Sequence, residues 1–320
     1  MYVCGSIRFL CGLRASVAVF QPMPINFPYL GQTLALLSAV FWAFAVILFK
    51  KSGETVHPIG LNLFKNLLAM VLFIPTMLIF RETFFRPIPF SEYAIFLISG
   101  ILGIAIGDTL FFMSLNRIGA GLTAIVGYMY SPSIILFSVL FLNESLSLLQ
   151  ILGVILILSA LLSTTQVKLP ENLSRKALLI GILWGVLATV ATAIGIVLIK
   201  PMLGKTPLLW ATQIRLIAGF FSLLIITLFL PSRNRIFASL FTTKGLGYTI
   251  GGSLVGTYIA LVVWLGGMKY TQASIAAPLN QISNIFVFIL AAMILKEPIT
   301  LRRILAVIVA FGGALLVFLG

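Results

Sequence analysis

Ten stretches of about 20 apolar residues, each long enough to cross a hydrocarbon core of about 30 Å, take up nearly all of the chain after residue 29. They run approximately over 30–50, 58–80, 92–116, 120–142, 147–165, 177–199, 206–230, 245–268, 273–295 and 301–319. Backbone donors and acceptors inside lipid must be satisfied within their own segment, so the spans are expected to be helices. Breaks such as "RETFFRPIPFSE", "NESLS", "PSRNR" and "KEPITLRR" separate them, and no soluble domain of useful size fits between. With 61% hydrophobic and 9% charged residues, a water-soluble fold is excluded. The expected fold class is therefore all-α, a polytopic membrane protein with ten transmembrane helices.

The charge balance, 21 Lys and Arg against 7 Asp and Glu, raises nucleic acid as a partner. No basic face with interleaved aromatics is present, so no nucleic acid is expected. The cations lie in short loops, where they meet lipid headgroups. Both cysteines, Cys4 and Cys11, fall in the segment 1–29, read as a disordered N-terminal tail, so they offer the membrane core neither a disulfide nor a metal site.

The two halves repeat. "FLNESLSLLQILGVILILSALL" from Phe141 lies without gaps on "ILKEPITLRRILAVIVAFGGALL" from Ile294, matching Glu144 with Glu297. The same register sets Gly103 on Gly256, Asp108 on Leu261 and Ala120 on Ala273; with a one-residue gap, Lys65 answers Arg215. Each copy, 30–165 and 177–320, holds an odd number of spans, so the second is inserted upside down. Two inverted five-helix repeats point to alternating access in a secondary transporter.

Three ionisable side chains fall well inside the spans: Lys65, Asp108 and Arg215. A charge at a helix centre costs about 2.5–3.5 kcal/mol, so each needs a partner, a wet cavity or a route to the interface. Lys65 lies seven residues after Pro58, where its span starts, and Asp108 seven before Leu115, where its span ends. Both are about 10 Å deep at 1.5 Å per residue. Their ends share one face of the membrane, so an ion pair is expected, with Asp108 acting as a fixed counter-charge or as a proton or amine acceptor. For Arg215 the matching acid is replaced by Leu261; it is left to reach toward Glu144, to snorkel, or to attract a substrate anion.

Glu144 and Glu297 stand at helix ends and are read as caps and turn-fixers, not as an acid/base pair. Neutral polar residues make the better binding candidates: Tyr128, Tyr130 and Ser131 before Pro132, and Asn280, Gln281 and Asn284 after Pro278. Proline inside a span frees backbone carbonyls for polar groups or a ligand. Trp42, Trp184, Tyr258 and Trp264 are candidate aromatic walls, with packing as the competing role. "GIAIG", "GSLVG" and "GILWG" are spaced for close helix packing. With one histidine, in a loop, and no phosphate-binding motif, no catalytic residue, metal site or cofactor is expected.

The five-plus-five layout, the early basic residues Lys65 and Arg215, "GDTLFFMSLNRIGA" and the glutamates closing spans four and nine resemble the drug/metabolite transporter superfamily, in its EamA-type ten-helix branch. The resemblance covers about 30–320. It implies a pseudo-symmetric basket in the cell membrane with a central cavity, a small-molecule substrate and a cytoplasmic N-terminus. The cation count in odd loops favours the opposite orientation, and both stay open. The expected function is a secondary transporter of a small polar, amino-acid-like metabolite, working by efflux or exchange as a monomer or weak homodimer, with protons as candidate coupling ion. A non-transporting structural or receptor-like membrane protein and a passive channel remain as alternatives.

Overall fold

The computed structural model describes residues 29–53, 55–164, 174–240, 245–287, 290 and 301–320, and every regular element among them is helical. Among the described residues, six helices are long and apolar enough to cross a membrane: Leu30–Phe49, Pro58–Ile79, Phe90–Ser114, Arg175–Leu203, Leu208–Phe229 and Leu246–Tyr270. Three shorter apolar helices cover Tyr130–Leu142, Leu148–Ala160 and Val307–Leu319. The N-terminal tail and Glu297 lie outside the described residues.

Burial is distributed as lipid demands. Large apolar side chains such as Val71, Leu78, Leu179 and Ile225 face outward, while Asn62, Asn66, Thr212, Arg215 and Ser274 are sealed inside. In water this pattern would be costly on both counts; in a bilayer the outward face meets hydrocarbon and the polar groups find partners within the protein.

The helices cross between the two repeated segments. Helix α1 (Leu30–Ser52) packs on α10 (Leu246–Gly252), α11 (Leu261–Tyr270) and α12 (Ala273–Gln281). Helix α7 (Arg175–Leu203) packs on α3 (Phe90–Gly100), α4 (Asp108–Gly127) and α5 (Tyr130–Leu142). Between them α2 (Pro58–Ile79) meets α8 (Leu208–Phe229) and the short α9 (Arg233–Leu240), and α6 (Leu148–Thr164) packs along the C-terminal helix Leu301–Leu319. The glycine motifs serve these contacts: a Cβ at Gly181 would strike Ile118, one at Gly107 would strike the Thr192 hydroxyl, and one at Gly256 would lie 2.7 Å from Ala45 Cβ.

Two features differ from the plain spans expected. Residues Ile101–Gly107 and Ser253–Ala260 are π-helical, each closing on an i→i+5 bond, from Asp108 N–H to the Gly103 carbonyl and from Leu261 N–H to the Gly256 carbonyl. These four residues are those that the internal sequence match pairs. The turn expected near 117–120 is instead helical throughout, yet the chain still doubles back there. The hydroxyls of Ser114 and Thr123 are 3.4 Å apart, whereas nine residues of straight helix would separate them by about 13 Å.

Candidate functional site

Charge burial organises the centre of the molecule. Lys65 on α2 donates to Asp108 Oδ2 at 2.7 Å, with the two side chains 6% and 30% exposed. The π turn stacks Asp108 over Gly103 and so carries its carboxylate toward α2. Asn62, one turn before Lys65 on the same helix, donates to the Ile104 carbonyl inside the π segment at 3.2 Å. That bond satisfies a carbonyl in the wide turn and locks α2 to it.

Arg215 does not reach Glu144. Its Nε donates to Ser99 Oγ at 3.0 Å, and the Ser99 hydroxyl donates in turn to the Gly195 carbonyl. The missing side chain of Gly103 admits the guanidinium: a Cβ there would lie 3.3 Å from Nη2.

Glu144 is taken up elsewhere. Asn143, at φ 53°, ends α5 in the left-handed conformation that asparagine tolerates and places Glu144 beyond the helix end. Its carboxylate accepts from Ala273 N–H and Ser274 N–H, both at 2.9 Å, and from Ser274 Oγ at 2.6 Å. Helix α12 has no side-chain cap of its own, so Glu144 caps it from a distant part of the chain. Glu82, which sequence reasoning passed over, does the same for α8, accepting from Trp210 N–H at 3.0 Å. Burial raises the Glu82 carboxyl above the usual range, opposed by that N–H and by Arg86 and Lys269. Lys200, likewise passed over, donates to the carbonyls of Met268 and Thr271 at the end of α11. A lysine beside Pro201 at a span end was the available signal. Glu144→Ala is expected to cost about 3 kcal/mol, since hydrogen bonds to a charged group contribute about 1.5–3 kcal/mol. Glu144→Gln, keeping one acceptor oxygen, should lose roughly half of that, as read by thermal unfolding in detergent.

The neutral candidates gather at two helix interruptions. One separates α4 from α5 at Tyr128 and Met129, and the other follows α12 at Ile282. Pro132 cannot donate to the Tyr128 carbonyl, which weakens the ladder at the first break. Gln281 Nε2 donates to the Gly127 carbonyl at 3.0 Å, so the two breaks meet. Asn284 donates to Gln281 Oε1 at 3.0 Å, and Asn280 to Ser38 Oγ on α1 at 2.7 Å. Tyr128 and Ser131 are buried, and the Tyr130 ring lies 6.4 Å from that of Trp264. Tyr258 stands apart, its hydroxyl 2.6 Å from Thr76 Oγ1 and its ring against Phe73.

Trp42 and Trp184 are not brought to this cluster. Trp42 is 37% exposed on α1. Trp184 stacks under the Arg117 guanidinium at 5.1 Å. There it helps line an open cavity of about 360 Å³ with His57, Pro58, Ile59, Thr109, Met113 and Arg117. His57 caps α2, its Nδ1 accepting from Ile59 N–H, and burial followed by Arg235 pushes the ring's pKa below its ordinary 6.5, in keeping with a neutral acceptor. Thr109, which lines this mouth, is the residue after Asp108 on α4. Among the described residues, no cluster of His, Cys, Asp and Glu is placed to hold a metal ion.

The EamA-like transporter family matches the chain twice, over residues 29–166 and 179–319. The chain belongs to the EamA-like transporter family. It is a multi-pass integral membrane protein. An "uncharacterized transporter" of Archaeoglobus fulgidus is 23% identical to this EamA-like chain over 290 residues, covering 89% of it and 97% of the relative. One of Methanothermobacter thermautotrophicus is 23% identical over 304 residues, covering 90% and 86%. A solved crystal structure superposes on 89% of the EamA-like chain and 95% of its own with a TM-score of 0.74 at 18% identity, a likeness of fold.

Proposed function

We propose that this EamA-like protein is a secondary carrier for a small polar organic metabolite, amino-acid-like or related, moved by efflux or exchange. Two inverted repeats of five spans alternate access around a site between them, in a ten-span chain. The observation that carries the reading is the meeting of the two helix interruptions. The register that lays Glu144 on Glu297 also lays Met129 on Ile282, and the breaks touch through Gln281 and the Gly127 carbonyl. Broken helices at equivalent places of two repeats, lined by polar side chains, are where secondary carriers hold their solutes. In this reading Tyr128, Tyr130, Ser131, Asn280, Gln281 and Asn284 line the site, Asp108 is the group available for a coupling proton, and the open mouth at Trp184 and Arg117 is the way in.

The test is counterflow in liposomes. Vesicles holding the purified protein and preloaded with an amino-acid mixture should accumulate a labelled member of that mixture saturably, and only when preloaded. Flux that neither saturates nor depends on preloading identifies a channel. No flux with amino acids or with other small polar metabolites, under any imposed gradient, overturns transport altogether.

A further inference from the structure

Arg215 is the buried cation that the protein leaves incomplete. The residue is 2% exposed. Ser99 takes its Nε, but Nη1 has no hydrogen-bond partner among the described residues. A buried charged donor without an acceptor is one of the most expensive things a fold can hold, and a bilayer offers it no bulk water. The nearby carboxylate is not free to help, because Asp108 lies one π turn beyond Gly103 and is bound to Lys65 at 2.7 Å. Two cations therefore face one acid, and the cluster is short of a single negative charge.

The surroundings select what supplies it. Tyr130 opens α5 beside the break at Met129, its ring 6.4 Å from that of Trp264 on α11, which packs on α8, the helix of Arg215. Its neighbour Ser131 is fully buried, and the Ser131 hydroxyl also lacks a partner among the described residues. A guanidinium edge presents paired donors that suit a planar carboxylate. A missing charge of one fits a monoanionic group, whereas a dianion would leave the cluster negative.

We propose that Arg215 is the carboxylate receptor of the transport site, its free Nη1 pairing with the single carboxylate of the solute. This rests on the carrier reading above and narrows its substrate class to solutes bearing one carboxylate. The Lys65–Asp108 pair stays closed when the carboxylate binds.

Thermal stabilisation of the purified protein by pairs of compounds differing only in that group, such as leucine and leucinamide or butyrate and butyramide, tests the assignment without mutation. Carboxylates should stabilise the wild type and their amides should not. Arg215→Gln should weaken the carboxylate response by about thirtyfold or more, as loss of one partner of a desolvated charge pair does. Arg215→Lys should keep part of it, having the charge without the fork. Equal responses to acids and amides, no response to any carboxylate, or a folded Arg215→Gln protein that responds as wild type would each overturn the proposal. Counterflow separates its failure from that of the carrier reading. Transport that ignores the carboxylate sinks only the Arg215 assignment; carboxylate binding without translocation sinks only the carrier.

Discussion

Asp108→Asn is expected to destabilise the protein by about 3–5 kcal/mol, the cost of leaving one member of a buried ion pair uncompensated. The stranded partner is the Lys65 ammonium, whose side chain is 6% exposed. Lys65→Met should cost less, because the Asp108 side chain, at 30% exposure, is less completely desolvated than that of Lys65. The double variant should regain much of the loss, since replacing both charges by neutral groups of similar shape is often close to neutral. Thermal unfolding in detergent of the wild type, both single variants and the double variant closes the cycle. Losses that simply add would show that the pair, though adjacent, does not couple. If the double variant folds, counterflow with it also reads whether the proton gradient still matters once Asp108 has lost its charge.

The second large effect is expected at Gly100→Ala. The new methyl would run into the carbonyl oxygen of Arg215, with the Arg215 Cα 2.9 Å away. Backbone cannot rotate aside as a side chain can, so α3 and α8 must separate, at a cost of about 1–3 kcal/mol or more. The same movement draws Ser99 off the Arg215 guanidinium, so carboxylate binding should fall with stability. Gly312→Ala is the control. Nothing lies within 4 Å of a Cβ there, and alanine favours a helix over glycine by about 1 kcal/mol. Equal tolerance of both changes would mean that α3 and α8 are not in close contact in the working protein.

Particular residues show what a reader of the sequence could and could not see. The partnership of Lys65 with Asp108 was legible because depth along a helix and the side from which each span starts are properties of the linear chain. The acceptor for Arg215 was not. Ser99 is one of many serines in apolar helices, and what singles it out is the crossing of α3, α7 and α8 at Gly100 and Gly195. Glu144 was recognisable as a cap, but the helix it caps begins at Ala273, 129 residues away. Glu82 and Trp210 form the same kind of pair and left no local trace. The π-helical segments were invisible as such, because an i→i+5 turn has no composition of its own; only the repeated glycines Gly103 and Gly256 stood at the right places. Trp42 and Trp184 looked alike as aromatic walls, yet Trp42 stands partly exposed on α1 and Trp184 lines the mouth beside Arg117.

The sequence by itself determined a helical membrane protein made of two related segments, with three charges buried in it and polar residues clustered beside prolines. Hydropathy, helix length and internal similarity are short-range or additive properties, readable without knowing which helix touches which. Only the tertiary structure decided that α1 and α7 each cross to the other segment, that the two helix breaks meet through Gln281 and Gly127, and that the acid near Arg215 belongs to Lys65. Those outcomes depend on contacts between residues far apart in the chain, where a hydrogen bond is won by whichever group the packing brings within about 3 Å.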